Sequence, residues 1–213
     1  MEKNVFPSAT INPPSFVLTS DKLIRADFKA SLENKYLNAM IVEELGITHG
    51  AARIDIAVIN SEIHGYELKS DLDTLDRLPE QMRIYNSVLD KVTLVVGKKH
   101  LFEAINIVPE WWGITIAKIA NSGEKIAFYE IRKAEENPCQ DKVAIASLLW
   151  REEALNILEE FDQAKGFRSK PRKTIYEKLV EVLDGQTLRE TVRAHLCTRV
   201  NWRSDLQYMP SGD

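Results

Sequence analysis

The stretch Arg53-Ile-Asp-Ile-Ala-Val-Ile-Asn-Ser-Glu-Ile-His-Gly-Tyr-Glu-Leu-Lys-Ser70 decides how this chain is read. Its first half alternates at a period of two, the mark of a strand that buries one face. Ile54, Ile56 and Val58 fall on one side, and Arg53, Asp55 and Ala57 on the other. Asn60 to Gly65 carries turn residues. The alternation then resumes over Gly65–Ser70, with Tyr66 and Leu68 on one face and Glu67 and Lys69 on the other. Successive strand side chains point to opposite faces, so the pattern predicts a β-hairpin. It sets Asp55, Glu67 and Lys69 among strongly apolar neighbours, where unpartnered charge is costly.

Upstream of the hairpin, residues 2–19 contain Pro7, Pro13 and Pro14 without periodicity and read as an extended arm. Ser20 and Asp21 are cap residues for a helix with an apolar stripe at Ile24, Phe28 and Leu32. A helical pattern resumes through Tyr36, Met40 and Ile41 to about Glu43 and Glu44, with Gly46 as its stop. Downstream, 71–76 is a polar connection to a helix reaching Leu89, with Pro79 in its first turn. Val92-Thr-Leu-Val-Val96 reads as a central strand buried on both faces. A helix over 98–108 and strands over 114–119 and 126–131 follow. From Val143 the pattern is helical, over 144–161, 171–183 and 188–202. The expected architecture is an α/β core over 20–135, a mixed sheet flanked by helices, preceded by a flexible arm (1–19) and followed by a helical section (141–213).

The totals exclude several classes. The chain has 213 residues, 44% hydrophobic and 28% charged, ordinary for a globular protein. Its net charge of −4 argues against a generally basic, histone-like binder, although local charge matters more than the sum. Cys139 and Cys197 form no C-x-x-C pair, which fits a reduced, cytoplasmic protein. No apolar run approaches the ~18 residues of a membrane span, so no membrane association is expected. The N-terminus does not read as a secretory signal. The four histidines form no metal-binding spacing, and Asp71, Asp73 and Asp76 lack the glycine and terminal glutamate of a calcium loop.

Asp55 and Glu67-Leu68-Lys69 suit phosphodiester hydrolysis. That reaction needs a hard cation to polarise phosphate and activate water. Mg²⁺ or Mn²⁺ takes carboxylate and carbonyl oxygens, and carboxylates on adjacent strands can converge on one ion, with the Leu68 carbonyl as a further ligand. Lys69 shares a face with Glu67, so its ammonium can meet the attacking water or the developing negative charge. The plain alternative is a cross-strand salt bridge on exposed strand faces.

These residues, with Gln81-x-x-x-Tyr85 on the following helix, resemble the PD-(D/E)XK nuclease superfamily, and its RecB-like branch in particular. The longer run from Arg53 to Trp111-Trp-Gly-Ile114 is similar to a family of bacterial and phage proteins placed within that superfamily. The resemblance covers residues 20–120, and for the narrower family continues to Arg168-Ser-Lys-Pro-Arg172. It implies a restriction-endonuclease-like core, metal binding by Asp55 and Glu67, and catalysis by Lys69. It also implies a helix-borne carboxylate, either Glu43 or Glu44. Glu44 is preferred, since helix neighbours point about 100° apart and only one can face the site. Gln81 and Tyr85 share a helix face that, in the resembled branch, borders the site. Ile54 stands where the motif has proline, a departure that preserves the strand.

Residues 165–213 hold ten basic and six acidic side chains, a net +4 that leaves −8 for the rest. The densest part, Lys165, Arg168, Lys170, Arg172 and Lys173, is a candidate phosphate-binding surface. Arg53 and Arg77 are further candidates, with surface salt bridging as the alternative. The expectation is a divalent-metal-dependent DNA nuclease. The second reading is a nucleic-acid-binding or adaptor protein that keeps the fold without cleaving, and the third is a plain interaction domain. One such site cuts one strand, so a double-strand cutter would act as a homodimer.

Overall fold

The computed structural model describes residues 18–120 and 125–199. Among them, six strands form one sheet in sequential order. The strands are β1 (Met40–Ile47), β2 (Ala52–Ile59), β3 (Ile63–Lys69), β4 (Lys91–Gly97), β5 (Gly113–Ile119) and β6 (Ile126–Arg132). Strand β2 runs antiparallel to both β1 and β3; β3, β4 and β5 pair in parallel, and β6 returns antiparallel to β5. The two parallel steps each need a crossover. These are the helices α2 (Leu78–Val88) and α3 (Leu101–Ile107).

One face of the sheet is covered by α1 (Asp21–Lys35), whose Ile24, Phe28 and Leu32 pack on Ile56, Val58, Tyr66, Leu68 and Val95. The other face takes α2, α3 and a helical C-terminal section: α4 (Lys142–Ala146), α5 (Arg151–Glu160), α6 (Arg172–Val182) and α7 (Gly185–Thr198). One apolar cluster runs from Leu94 and Val96 through Tyr85 and Trp112 to Leu149, Leu179 and Leu196, so those helices share the core of the sheet. The fold is an α/β open mixed sheet flanked by helices, with a helical C-terminal part. No helix among the described residues is long and apolar enough to cross a membrane.

Two elements differ from the sequence reading. The segment read as a helix from Tyr36 to Glu44 is strand β1, paired with β2 from Met40↔Ile59 to Ile47↔Ala52. Leu, Glu and Met give it helical propensity, but tertiary pairing overrides a weak local preference. The helix read over 144–161 is two, α4 and α5. The break is fixed by Glu153, whose Oε2 accepts from the Trp150 N–H at 2.7 Å and starts a new helix. At the other end of the chain, buried Thr19 donates its N–H and hydroxyl to Asp71 Oδ2 at 3.0 and 2.8 Å. The rest of the expected arm, 1–17, lies outside the described residues, as does Trp202.

Candidate active site

The site forms where two strands part. Strands β2 and β3 pair from Ile59↔Ile63 to Ile56↔Tyr66, and the pairing ends there. The alternation of β2 slips at the same point: Ile56 and Val58 pack under α1, whereas Ile54 packs on the opposite face. Gly65 leaves room for this, since a Cβ there would lie 3.0 Å from Ile54 and 2.5 Å from Leu89. Asp55, at the fork, replaces the lost ladder with its side chain, and its Oδ2 accepts the Leu68 N–H at 2.8 Å. Strand β3 continues beside β4 as far as Lys69↔Val96. Glu67, Leu68 and Lys69 are thereby held rigidly against the Asp55 carboxylate.

Glu67 is 1% exposed and has three donors. Oε1 accepts from Lys69 Nζ at 2.7 Å and Gln81 Nε2 at 2.7 Å, and Oε2 from the Tyr85 hydroxyl at 2.8 Å. Gln81 and Tyr85 stand one turn apart on α2, which brings both to the same carboxylate. The Tyr85 hydroxyl also lies 2.7 Å from the Arg53 carbonyl. One phenolic proton cannot serve both acceptors at once. Burial, then the nearby Asp55 charge, pushes Glu67 above the ordinary carboxylate range, and Lys69 and Tyr85 offset this in part. Asp55 is raised too, chiefly by burial, against the Leu68 N–H, Arg25 and Lys69. Two neighbouring carboxylates that resist ionisation gain most from a further cation.

A cleft of about 480 Å³ opens on this corner. Asp55, Glu67, Leu68, Lys69, Gln81, Arg53, Arg77 and Glu44 line it, together with the acids Asp21, Asp73 and Glu80. Tyr85 stands fully buried behind it. Acids outnumber bases in the lining, six to three. The expected helix-borne carboxylate is corrected: Glu43 and Glu44 are on β1, and their neighbours' register sets Glu44 opposite Asp55. Glu44 has a left-handed backbone (φ 59°) and reaches Arg25 and Arg53, whereas Glu43 pairs with Lys29 of α1. The β1–β2 turn beside the cleft is also left-handed at Thr48, His49 and Gly50. Such conformations cost non-glycine residues free energy and concentrate at functional sites.

Arg25 of α1 is the site residue that sequence reasoning missed. Its Nη2 binds Asp55 Oδ1 at 2.7 Å and its Nη1 binds Glu44 Oε1 at 2.7 Å. The pairing with Asp55 spans thirty positions, and no local spacing announces it. Burial opposes the guanidinium charge, but Asp55 and then Asp21 raise its pKa above the ordinary arginine value.

The donor chemistry fits a hard divalent cation. Among the described residues no three His, Cys, Asp or Glu side chains are placed to hold a metal by themselves. Mg²⁺ asks for less, one or two carboxylates with the balance from water and substrate oxygens. Asp55 and Glu67 are such a pair, and the buried Gln81 Oε1 has no hydrogen-bond partner among the described residues.

The basic residues Lys165, Arg168, Lys170, Arg172 and Lys173 are all exposed. They do not line the cleft. Arg168 is ion-paired with Glu159, and Lys173 lies 3.8 Å from Glu177. The link to the cleft runs through His49, whose ring stacks on Tyr176 of α6 with centroids 5.6 Å apart. Burial and then the field of Arg172 lower the His49 pKa. His64 stands elsewhere, bonded to Thr93 and Tyr66.

A family model described as Bacteriophage P4 protein cII matches residues 22–209, most of the chain. The chain belongs to the phage P4 cII family. The matched span includes Arg25, the β2–β3 fork, α2 and the basic stretch before α6. Protein cII of Enterobacteria phage P4 is 24% identical over 168 residues, covering 79% of this chain and 62% of the relative. The chain thus spans about three fifths of the length of this curated cII relative. No solved structure matches this cII-family chain.

Proposed function

We propose that this cII-family chain is a divalent-metal-dependent DNA nuclease of the PD-(D/E)XK type, with a restriction-endonuclease-like core and a cytoplasmic place of action. The observation that carries this is the fork of β2 and β3, where Asp55 and buried Glu67 stand together with Lys69 on an acidic cleft. Asp55, Glu67 and the Leu68 carbonyl would hold Mg²⁺ or Mn²⁺. A bound ion of this kind supplies Lewis acidity toward phosphate and a more acidic water. Lys69, 8% exposed and fixed by Glu67, holds a positive charge where the phosphorane charge develops. Gln81 and Tyr85 fix the orientation of Glu67. Arg53 and Arg77 on the cleft wall, and the basic residues before and within α6, meet the phosphate backbone.

The second reading, a nucleic-acid-binding or adaptor protein without cleavage activity, is favoured by one observation: Arg25 and Lys69 already neutralise Asp55 and Glu67. The deciding experiment is cleavage of linear, circular and single-stranded DNA with Mg²⁺ or Mn²⁺, wild type beside Lys69→Ala. Removing a charge that stabilises the transition state slows the reaction by on the order of 100-fold or more. Cleavage abolished in the variant supports the nuclease. DNA binding without cleavage in both proteins supports the adaptor.

A further inference from the structure

Arg25 has five N–H donors, and each has an acceptor. Nε faces Asp21 Oδ2 at 3.4 Å, and Nη2 faces Asp21 Oδ1 at 3.4 Å and Asp55 Oδ1 at 2.7 Å. Nη1 faces Glu44 Oε1 at 2.7 Å and the Asp55 carbonyl at 3.3 Å. One guanidinium thus bridges three carboxylates from α1, β1 and β2. Lys69 does the same service for Glu67, but the two cations differ in freedom. The Lys69 side chain is 10% exposed, and among the described residues its one ion-pair partner is Glu67. That of Arg25 is 22% exposed, and Asp21 and Glu44, at 47% and 43%, remain as partners if Asp55 is taken away.

We propose that Arg25 is a releasable counter-ion for Asp55, a built-in stand-in for the divalent cation, and that the two compete for the same carboxylate. The inference rests on the metal reading of the site. A cation arriving at Asp55 displaces the guanidinium onto Asp21 and Glu44, where it keeps two ion pairs and its charge. The neighbouring acids therefore make the exchange cheap, because Arg25 is never left unpaired. Asp21 and Glu44 both line the cleft, so the displaced guanidinium stays at its wall.

The test reads Mn²⁺ affinity by electron paramagnetic resonance in wild type, Arg25→Gln and Arg53→Gln, without DNA. Competition predicts that Arg25→Gln binds Mn²⁺ roughly five-fold more tightly, the worth of a partly exposed ion pair. Arg53→Gln removes an equal charge that touches Glu44 and not Asp55, so it should stay within about two-fold. Equal or weaker binding by Arg25→Gln, or an equal gain in Arg53→Gln, overturns the proposal while the metal site stands. No Mn²⁺ binding by any of the three overturns both. If Arg25→Gln does not fold, Arg25→Lys serves, since one ammonium cannot span three carboxylates and must also compete less well. In the wild type, nitrogen-15 spectroscopy should show the Arg25 Nε–H signal moving as Mg²⁺ is added. A signal unmoved with Mg²⁺ bound overturns the exchange.

Discussion

Tyr85 has one proton and two acceptors, Glu67 Oε2 at 2.8 Å and the Arg53 carbonyl at 2.7 Å. When Glu67 is ionised, the phenol stabilises that charge. When Glu67 is protonated, it donates to the phenol, and the phenolic proton is free for Arg53. Tyr85→Phe removes the donor from the charged form, so Glu67 should rise further and the acidic limb of Mn²⁺ binding should move to higher pH. Mn²⁺ titrations at several pH values in both proteins measure it, and coincident profiles would assign the phenolic proton to Arg53 alone. Stability should respond as well. Asp55 and Glu67 are both raised above their ordinary values of 3.8 and 4.5. Protonation of these groups therefore favours the folded state. Their contribution is complete below those values and is lost as pH rises through the raised ones. A metal-free sample should lose stability through these two groups as pH rises above the ordinary carboxylate range, and Mn²⁺ should raise the melting temperature more at the higher pH than at the lower. An equal rise at both would contradict the linkage.

The elements differ in how far a local pattern decides them. Strand β4 was legible because Val92, Leu94 and Val96 pack on one face and Val95 on the other, a run that only a central strand accommodates. The fork was legible in part. Alternation placed Asp55, Glu67 and Lys69, but Ile54 sits on the opposite face from Ile56, because the strands separate where the charges gather. Strand β1 was not legible. Met40-Ile-Val-Glu-Glu-Leu45 has helical propensity, and its strand form is imposed from outside, by pairing with β2 in a register that begins at Met40↔Ile59. Arg25 was invisible for the same reason, since its partner Asp55 lies thirty residues on. One element boundary carries a test. Gly97 closes β4, and a Cβ there would come 2.4 Å from Asp71 Oδ1 and 2.6 Å from its backbone nitrogen. Asp71 in turn holds Thr19 and accepts the Lys99 N–H at 3.0 Å. Gly97→Ala should therefore cost about 1–3 kcal/mol through overpacking, read as a lower urea midpoint. A midpoint unchanged from wild type would mean that the Asp71 loop moves aside freely.

At the scale of the whole molecule, the sheet places the acidic cleft at the β2–β3 fork, and the C-terminal helices set a basic surface beside it. The bridge between them is the left-handed turn at Thr48–Gly50: Gly50 lines the cleft, and His49 stacks on Tyr176 of α6, which begins at Arg172. On the proposed nuclease reading, a DNA strand with its scissile phosphate at Lys69 that runs past this turn reaches the start of α6 at Arg172, with Lys170 two residues before it. The two are exposed and, among the described residues, form no ion pair, whereas Arg168 is engaged by Glu159. On that reading the charges of Lys170 and Arg172 are free to release counterions from DNA, whereas that of Arg168 is shared with Glu159. In metal-free buffer, where binding is separated from cleavage, Lys170→Ala with Arg172→Ala should reduce the slope of log affinity against log salt by up to about 1.8, roughly 0.9 for each duplex phosphate that is no longer neutralised. Arg168→Ala, whose charge is shared with Glu159, should change the slope less than that double variant does. The converse result, a slope that follows Arg168 and ignores Lys170 and Arg172, would move the DNA path away from α6 toward α5. An unchanged slope in every variant would confine the phosphate-binding side chains to the cleft wall at Arg53 and Arg77.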